Sequence, residues 1–208
     1  MIRLVVDPRA PDPGVIAEAA DVLRTGGVLA YPTDTLYGLA VDPRRDPLVR
    51  RLFDVKERDR AAAITLIAAD LLQAQKAGTF AASELAMARA LWPGPLTIVV
   101  PVSEALSKRL SGDLGTVGVR VPAHAVARAL AAAFGWCVTA TSANISGRPP
   151  ALTADEVAAS LAGRIDAVVD AGPAAGGPPS TIVEVAEGRP VLRRSGAIAW
   201  DRVLESLQ

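Results

Sequence analysis

Short apolar runs bounded by glycine, proline or polar loops recur along this chain, and between them lie segments whose apolar residues fall at helical spacing. Ile2 to Val6, Val28 to Tyr31, Ile64 to Ile67, Leu96 to Val100, Thr116 to Val121, Trp136 to Val138, Ala167 to Val169, Thr181 to Val185 and Val191 to Arg194 read as strands. Helices are expected over Pro13 to Thr25, from Asp46 through Phe53, and over Asp70 to Lys76, Ser83 to Leu91, Ala123 to Phe134, Thr153 to Leu161 and Ile198 to Leu207. Their ends carry the usual signals: Gly26-Gly27 after the first, Asp46-Pro47 opening the second as N-cap and first helical residue, and a Thr153-Ala154-Asp155-Glu156 capping box. Strand and helix interleave without an internal repeat, which restricts the chain to the α/β class with an open, twisted sheet. No segment resembles an interdomain linker, so residues 1–208 are expected to form a single domain.

Charge narrows the function classes. Lys plus Arg and Asp plus Glu both number 22, so no global field draws in nucleic acid and any polyanion has to meet a local cluster. One cysteine, Cys137, and one histidine, His124, cannot supply zinc spacings or an intramolecular disulfide. No zinc and a reducing compartment follow. The N-terminal apolar run is too short for a signal segment and no run is long enough to span a membrane, so a soluble cytoplasmic protein is expected.

Polar loops recur beside the short strands, where a ligand crevice opens in an open α/β sheet. The most loaded one, Thr139 to Pro150, follows Trp136-Cys137-Val138 and holds hydroxyls, an amide, a glycine and an arginine. Ser142 and Asn144 there either cap backbone groups or present a hydroxyl and an amide to a ligand. Lys56 and Arg58 sit two apart on a segment read as a charged, non-helical loop. An extended backbone points both to one side, which suits a triphosphate, whereas Arg58 could instead pair with Glu57, Asp59 or Asp54. Arg120 lies inside the apolar strand Val117-Gly118-Val119-Arg120-Val121, so it needs an anionic partner, either a structural Asp or a ligand carboxylate. Gly118 on the same face allows close approach to the backbone. Gly172 to Pro179 reads equally as a lid or a crossover, Trp92 as part of a rigid turn, Cys137 as core, and His124 as a local cap or surface residue. Phosphate-loop and dinucleotide fingerprints are absent, as are nucleophile triads.

The ordered set Gly26-Gly27-Val28-Leu29-Ala30-Tyr31-Pro32-Thr33-Asp34-Thr35-Leu36-Tyr37-Gly38-Leu39, Lys56-Glu57-Arg58, Leu91-Trp92-Pro93-Gly94-Pro95-Leu96-Thr97, Val117 to Pro122, Thr141 to Gly147, Pro179-Ser180-Thr181-Ile182 and Leu192 to Gly196 resembles the YrdC-like family of threonylcarbamoyl-AMP synthases. The resemblance spans nearly the whole chain and implies a mixed sheet with flanking helices around a concave basic cavity. It implies a nucleotidyltransferase in which L-threonine and bicarbonate form a carboxylated threonine that attacks the α-phosphate of ATP, with Mg2+ carried in on the nucleotide. By the same resemblance Lys56, Arg58, Ser142 and Asn144 grip nucleotide and phosphate, and are the candidate catalytic residues. Thr116 and Arg194 also contact ATP, and Thr35, Arg120 and Ser180 hold threonine. tRNA and a threonylcarbamoyl-transferase complex are the implied downstream partners.

The chain departs from the family pattern after the basic pair, where Asp59, Ala62 and Ala63 replace the usual proline and polar residues and Arg60 stands nearby. That departure supports a paralogue in the same fold using another acyl or carbamoyl adenylate. An RNA-binding maturation factor is a further alternative, disfavoured by zero net charge and few aromatics. On this reading, alanine at Lys56 or Arg58 abolishes turnover and leaves the fold intact.

Overall fold

A computed structural model describes residues 1–57, 63–111 and 114–208. In chain order its elements are β1 (Ile2–Val5), α1 (Pro13–Arg24), β2 (Leu29–Pro32), β3 (Tyr37–Ala40), α2 (Asp46–Lys56), β4 (Thr65–Ile67), α3 (Leu71–Ala74) and α4 (Ala82–Leu91). There follow β5 (Leu96–Pro101), a short 3-10 turn at Lys108–Leu110, β6 (Thr116–Arg120), α5 (Ala125–Phe134), β7 (Val138–Ser142), α6 (Ala154–Leu161), β8 (Ala167–Asp170), β9 (Thr181–Ala186), β10 (Arg189–Arg194) and α7 (Trp200–Glu205). Among the described residues ten strands form one sheet in the order β1-β8-β2-β3-β7-β4-β6-β5-β9-β10. Some neighbours are parallel (β1 with β8, β4 with β6, β5 with β9) and others antiparallel (β2 with β3, β4 with β7, β5 with β6), so the sheet is mixed. The α/β class and open sheet expected from the pattern are what the chain adopts.

Both faces of this sheet carry apolar side chains. On one, Leu23 of α1 and Leu130 and Phe134 of α5 pack against Leu29, Tyr31, Ala167 and Val169. On the other, Leu52 and Phe53 of α2 gather with Leu39, Leu66, Ile98 and Val119. Burying each large side chain contributes about 1.5–3 kcal/mol, so this two-sided burial is what holds the strands in one sheet.

Several expected boundaries are corrected. The sequence reads as one turn from Thr33 through Gly38, whereas Tyr37 to Ala40 is a strand: Thr33 to Leu36 alone makes the turn, with the Thr33 N–H donating to the Leu36 carbonyl at 3.0 Å and the Thr33 hydroxyl accepting from the Leu36 N–H. Strand β7 begins later than expected and runs on through Ser142. Its hydroxyl residues tolerate the interior because they are paired: Thr139 Oγ1 accepts from the Val41 N–H at 2.9 Å and donates to the Leu39 carbonyl at 3.2 Å. Helix α2 continues past Phe53 to Lys56 and stops at Glu57, which takes a left-handed φ of 50°. The N-cap of α2 is Arg45, with Asp46 and Pro47 opening the helix. His124 occupies the N-cap of α5 but its side chain makes no capping hydrogen bond.

The start of α2 is clamped to the 3-10 turn: Asp46 accepts from Arg109 Nε at 2.9 Å and from Ser107 Oγ at 2.8 Å. Those two bonds, Arg109's first, hold the Asp46 carboxyl below the usual carboxylate range. A depressed folded pKa contributes stability that is present above the unfolded value, about 4, and is lost as pH falls through the folded value. Asp46→Asn is therefore expected to cost about 1 kcal/mol near neutral pH, or about 2–4 °C in Tm, because the exposed pair is screened. Thermal melts repeated below about pH 4 should show that gap to wild type closing.

Candidate active site

Because side chains alternate across a strand, residues two apart on neighbouring strands share one face. Thr65 and Ile67 of β4, Thr97 and Val99 of β5, Thr116, Gly118 and Arg120 of β6, and Ile182 and Glu184 of β9 do so, and together they floor a cavity of about 830 Å3. Thr35 and Leu36 of the hairpin, Ser142 at the end of β7 and Asn144 just beyond it, Pro179-Ser180, and Arg193-Arg194 at the end of β10 make its walls. Gly118 keeps the floor open: a Cβ there would stand 2.9 Å from Thr97 Cγ2. Gly196 lets the chain beyond Arg194 lie on the Pro179-Ser180 backbone, where a Cβ would meet the Pro179 oxygen at 2.3 Å.

Lys56 does not line this cavity. It is 2% exposed, at the end of α2, and its ammonium donates to the Ser142 carbonyl, to the Asn144 carbonyl at 2.9 Å and to Asn144 Oδ1 at 3.1 Å. The Ser146 N–H donates back to the Lys56 carbonyl at 2.8 Å. Within the loop the Ser142 hydroxyl donates to Asn144 Oδ1 and the Asn144 amide donates to the Arg148 carbonyl. A buried ammonium is tolerated only where acceptors replace its water, and here the loop's own carbonyls do so. The charge thus sits beneath the Ser142–Asn144 wall and faces the cavity through it.

Arg120 finds a structural partner: its Nη2 donates to Asp34 Oδ1 and its Nε to the Gly94 carbonyl at 3.1 Å. Nη1 has no partner among the described residues. Arg194 donates from Nε and Nη2 to the Ser180 carbonyl at 3.1 and 2.8 Å, and from Nη2 to Ser180 Oγ at 3.0 Å. It has no carboxylate partner among the described residues, and burial together with the nearby charge of Arg120 pushes its guanidinium down from its ordinary value. Arg193 is tied to Glu184 at 2.5 Å. Beneath the hairpin Tyr31 is fully buried, which pushes its phenol far up, and its hydroxyl donates to the Thr139 carbonyl at 3.1 Å.

The sequence-expected residues Thr35, Thr116, Arg120, Ser142, Asn144, Ser180 and Arg194 all meet at this cavity, as does Ala63. Arg58, with Asp59, Arg60 and Ala62, lies outside the described residues. The extended Lys56-x-Arg58 geometry is corrected at its first member, since Lys56 is helical and buried under the wall. Sequence reasoning missed Asp34, Thr97 and Glu184. For Asp34 a signal existed, because a strand arginine needs an anion and Asp34 sits in a polar turn. Among the other candidates, Trp92 donates to the Leu96 carbonyl at 2.7 Å and Cys137 is buried, its thiol pushed up to about 12 by burial. The Gly172 carbonyl accepts from the Tyr37 hydroxyl at 2.7 Å, which ties the Gly172–Pro179 loop to β3.

Residues 21–196 match the Sua5/YciO/YrdC family model, described as "Telomere recombination". Over 201 residues the chain is 35% identical to the threonylcarbamoyl-AMP synthase of Bacillus subtilis strain 168, covering 96% of this chain and 58% of that protein. The crystal structure of P. abyssi Sua5 complexed with L-threonine superposes with a TM-score of 0.93 at 33% identity, over 100% of this chain and 61% of that one. This chain therefore spans less than two thirds of either relative. E. coli YciO, at 24% identity and a TM-score of 0.87 over 98% of this chain and 100% of its own, is alike in fold.

Removing the Lys56 ammonium strands buried carbonyl oxygens of Ser142 and Asn144, so Lys56→Met is expected to destabilise the protein by about 2–3 kcal/mol in denaturant unfolding. A variant as stable as wild type would show that the ammonium does not hold the wall.

Proposed function

From the premise that this chain belongs to the Sua5/YciO/YrdC family, we propose that it is an L-threonylcarbamoyladenylate synthase and that residues 1–208 act as one catalytic domain. The observation that carries this reading is the cavity itself. At about 830 Å3 it is of the size that encloses a nucleotide-scale ligand. Its polar groups divide into two sets: Arg120, Thr35 and Ser180 on one side, and Ser142, Asn144, Thr116 and Arg194 on the other.

L-Threonine binds the first set, with its carboxylate on Arg120 Nη1, the nitrogen that Asp34 and Gly94 leave free. Asp34 balances the Arg120 charge in the empty cavity and fixes the guanidinium plane, so little ordering remains to be done when the carboxylate arrives. The ATP phosphates lie against Arg194 and the Ser142–Asn144 wall, with the Lys56 charge behind it and Arg58 as a further phosphate ligand. The threonine amine takes up bicarbonate with loss of water, giving an N-carboxylate. One of its oxygens attacks the α-phosphorus, the bond to the bridging oxygen breaks, and pyrophosphate leaves with the electron pair. The chain's part is to hold the two reactants adjacent and to stabilise the charge that spreads onto the phosphoryl oxygens.

The described residues hold no carboxylate or imidazole cluster for a resident metal. No group of three His, Cys, Asp or Glu side chains gathers among the described residues, and Glu184 is engaged by Arg193. Mg2+ belongs to the ATP substrate. The adenylate passes to a threonylcarbamoyl transferase acting on tRNA, and the cytoplasm is where these substrates coexist. No helix among the described residues is long and apolar enough to cross a membrane.

The test is pyrophosphate release by the purified chain with Mg-ATP, L-threonine and bicarbonate, each omitted in turn. Release should need all three and be matched by threonylcarbamoyl-AMP. Arg194→Ala should lower turnover about 100-fold, as expected for a donor to the transferring phosphoryl group. Arg120→Ala should raise the threonine requirement and leave that for ATP in place. Release independent of threonine, or equal in both variants, would refute the assignment.

A further inference from the structure

The hydroxyl of Ser180 sits at the junction of three groups, and counting hydrogens there fixes its direction. Thr97, on β5 beside β9, is 1% exposed, and its Oγ1 lies 2.8 Å from Ser180 Oγ. Thr97 Oγ1 has no other hydrogen-bond partner among the described residues. A buried hydroxyl that keeps its hydrogen unused pays a desolvation penalty, so the Thr97 hydrogen goes to Ser180 Oγ. The same oxygen accepts from Arg194 Nη2 at 3.0 Å. A serine hydroxyl has two acceptor positions and one hydrogen. Both acceptor positions are then filled, by Thr97 and by Arg194, and neither neighbour can take the hydrogen that remains.

Ser180 is 7% exposed and the surface it keeps lies on the cavity. We infer that Thr97 is a positioning residue that turns Ser180 into an obligate hydrogen-bond donor, aimed at an acceptor oxygen of the cavity ligand. A carboxylate oxygen fits this demand and an ammonium or amide N–H does not. Resting on the proposed synthase reading, the inference assigns that oxygen to the L-threonine carboxylate, which is thereby shared between Arg120 and Ser180. It also explains why a threonine rather than a valine stands at a buried strand position whose methyl group already packs against Gly118.

Thr97→Val keeps the shape and removes the donor, and Thr97→Ser restores the donor. Calorimetric titration of the full chain with L-threonine, and separately with ATP, reads the effect without turnover. Thr97→Val should weaken L-threonine about tenfold and leave ATP within about twofold, with Thr97→Ser close to wild type. L-Threoninamide, which lacks the anionic acceptor, should bind both proteins about equally poorly. Wild-type affinity for L-threonine in Thr97→Val would overturn this inference and leave the synthase reading standing, as would equal losses for threonine and ATP. Failure of the wild-type protein to bind L-threonine at all would overturn both.

Discussion

A buried ammonium organises the site. Lys56 at the end of α2 reaches the carbonyls of Ser142 and Asn144, and this joins a helix to the end of a strand 86 residues later in the chain. The interaction is possible because Glu57 takes a left-handed conformation that ends the helix there. Burial makes it directional: an ammonium without water needs its acceptors in place, and those acceptors are the backbone of the wall that Ser142 and Asn144 present to the cavity. The rest of the site takes its position from the strands of the sheet, which carry the cavity floor.

Across the cavity, charge is distributed unevenly in a way that suits two anionic ligands. Arg120 arrives already balanced by Asp34, so its guanidinium is held in one orientation and supplies directionality more than net charge. Arg193 is balanced by Glu184. Among the described residues Arg194 is held only by neutral oxygens of Ser180, so its charge is left for the cavity. A site whose uncompensated cation stands beside neutral hydroxyls can bind a polyanion without bringing buried carboxylates against it.

Much of this was legible in the amino-acid order, for identifiable reasons. The strand and helix periods revealed the α/β alternation because apolar burial on a sheet or helix face leaves a local pattern. The loops that carry Thr35, Ser142, Asn144, Ser180 and Arg194 stood out because polar clusters beside apolar runs are where backbone and ligand compete for donors. Three things stayed hidden. Tyr37 and Gly38 read as the end of a turn that starts at Thr33, because the glycine and the polar residues before it imitate one. Thr139 to Ser142 reads as a loop because hydroxyls suggest turns, whereas in the sheet the Thr139 hydroxyl bonds to Val41 and Leu39. The pairings of Lys56 with Ser142 and of Arg120 with Asp34 each span 86 residues, and no local period records a contact at that distance.

In the proposed complex the triphosphate lies between the Lys56-supported wall and Arg194. Crystals of the chain grown with L-threonine and a non-hydrolysable ATP analogue test it most directly. Phosphate oxygens are expected within hydrogen-bond reach of Ser142 Oγ, the Asn144 side chain and the Arg194 guanidinium, with the amino acid on Arg120 and Ser180. Phosphates bound elsewhere, out of reach of Arg194 and of the Ser142–Asn144 wall, would contradict it.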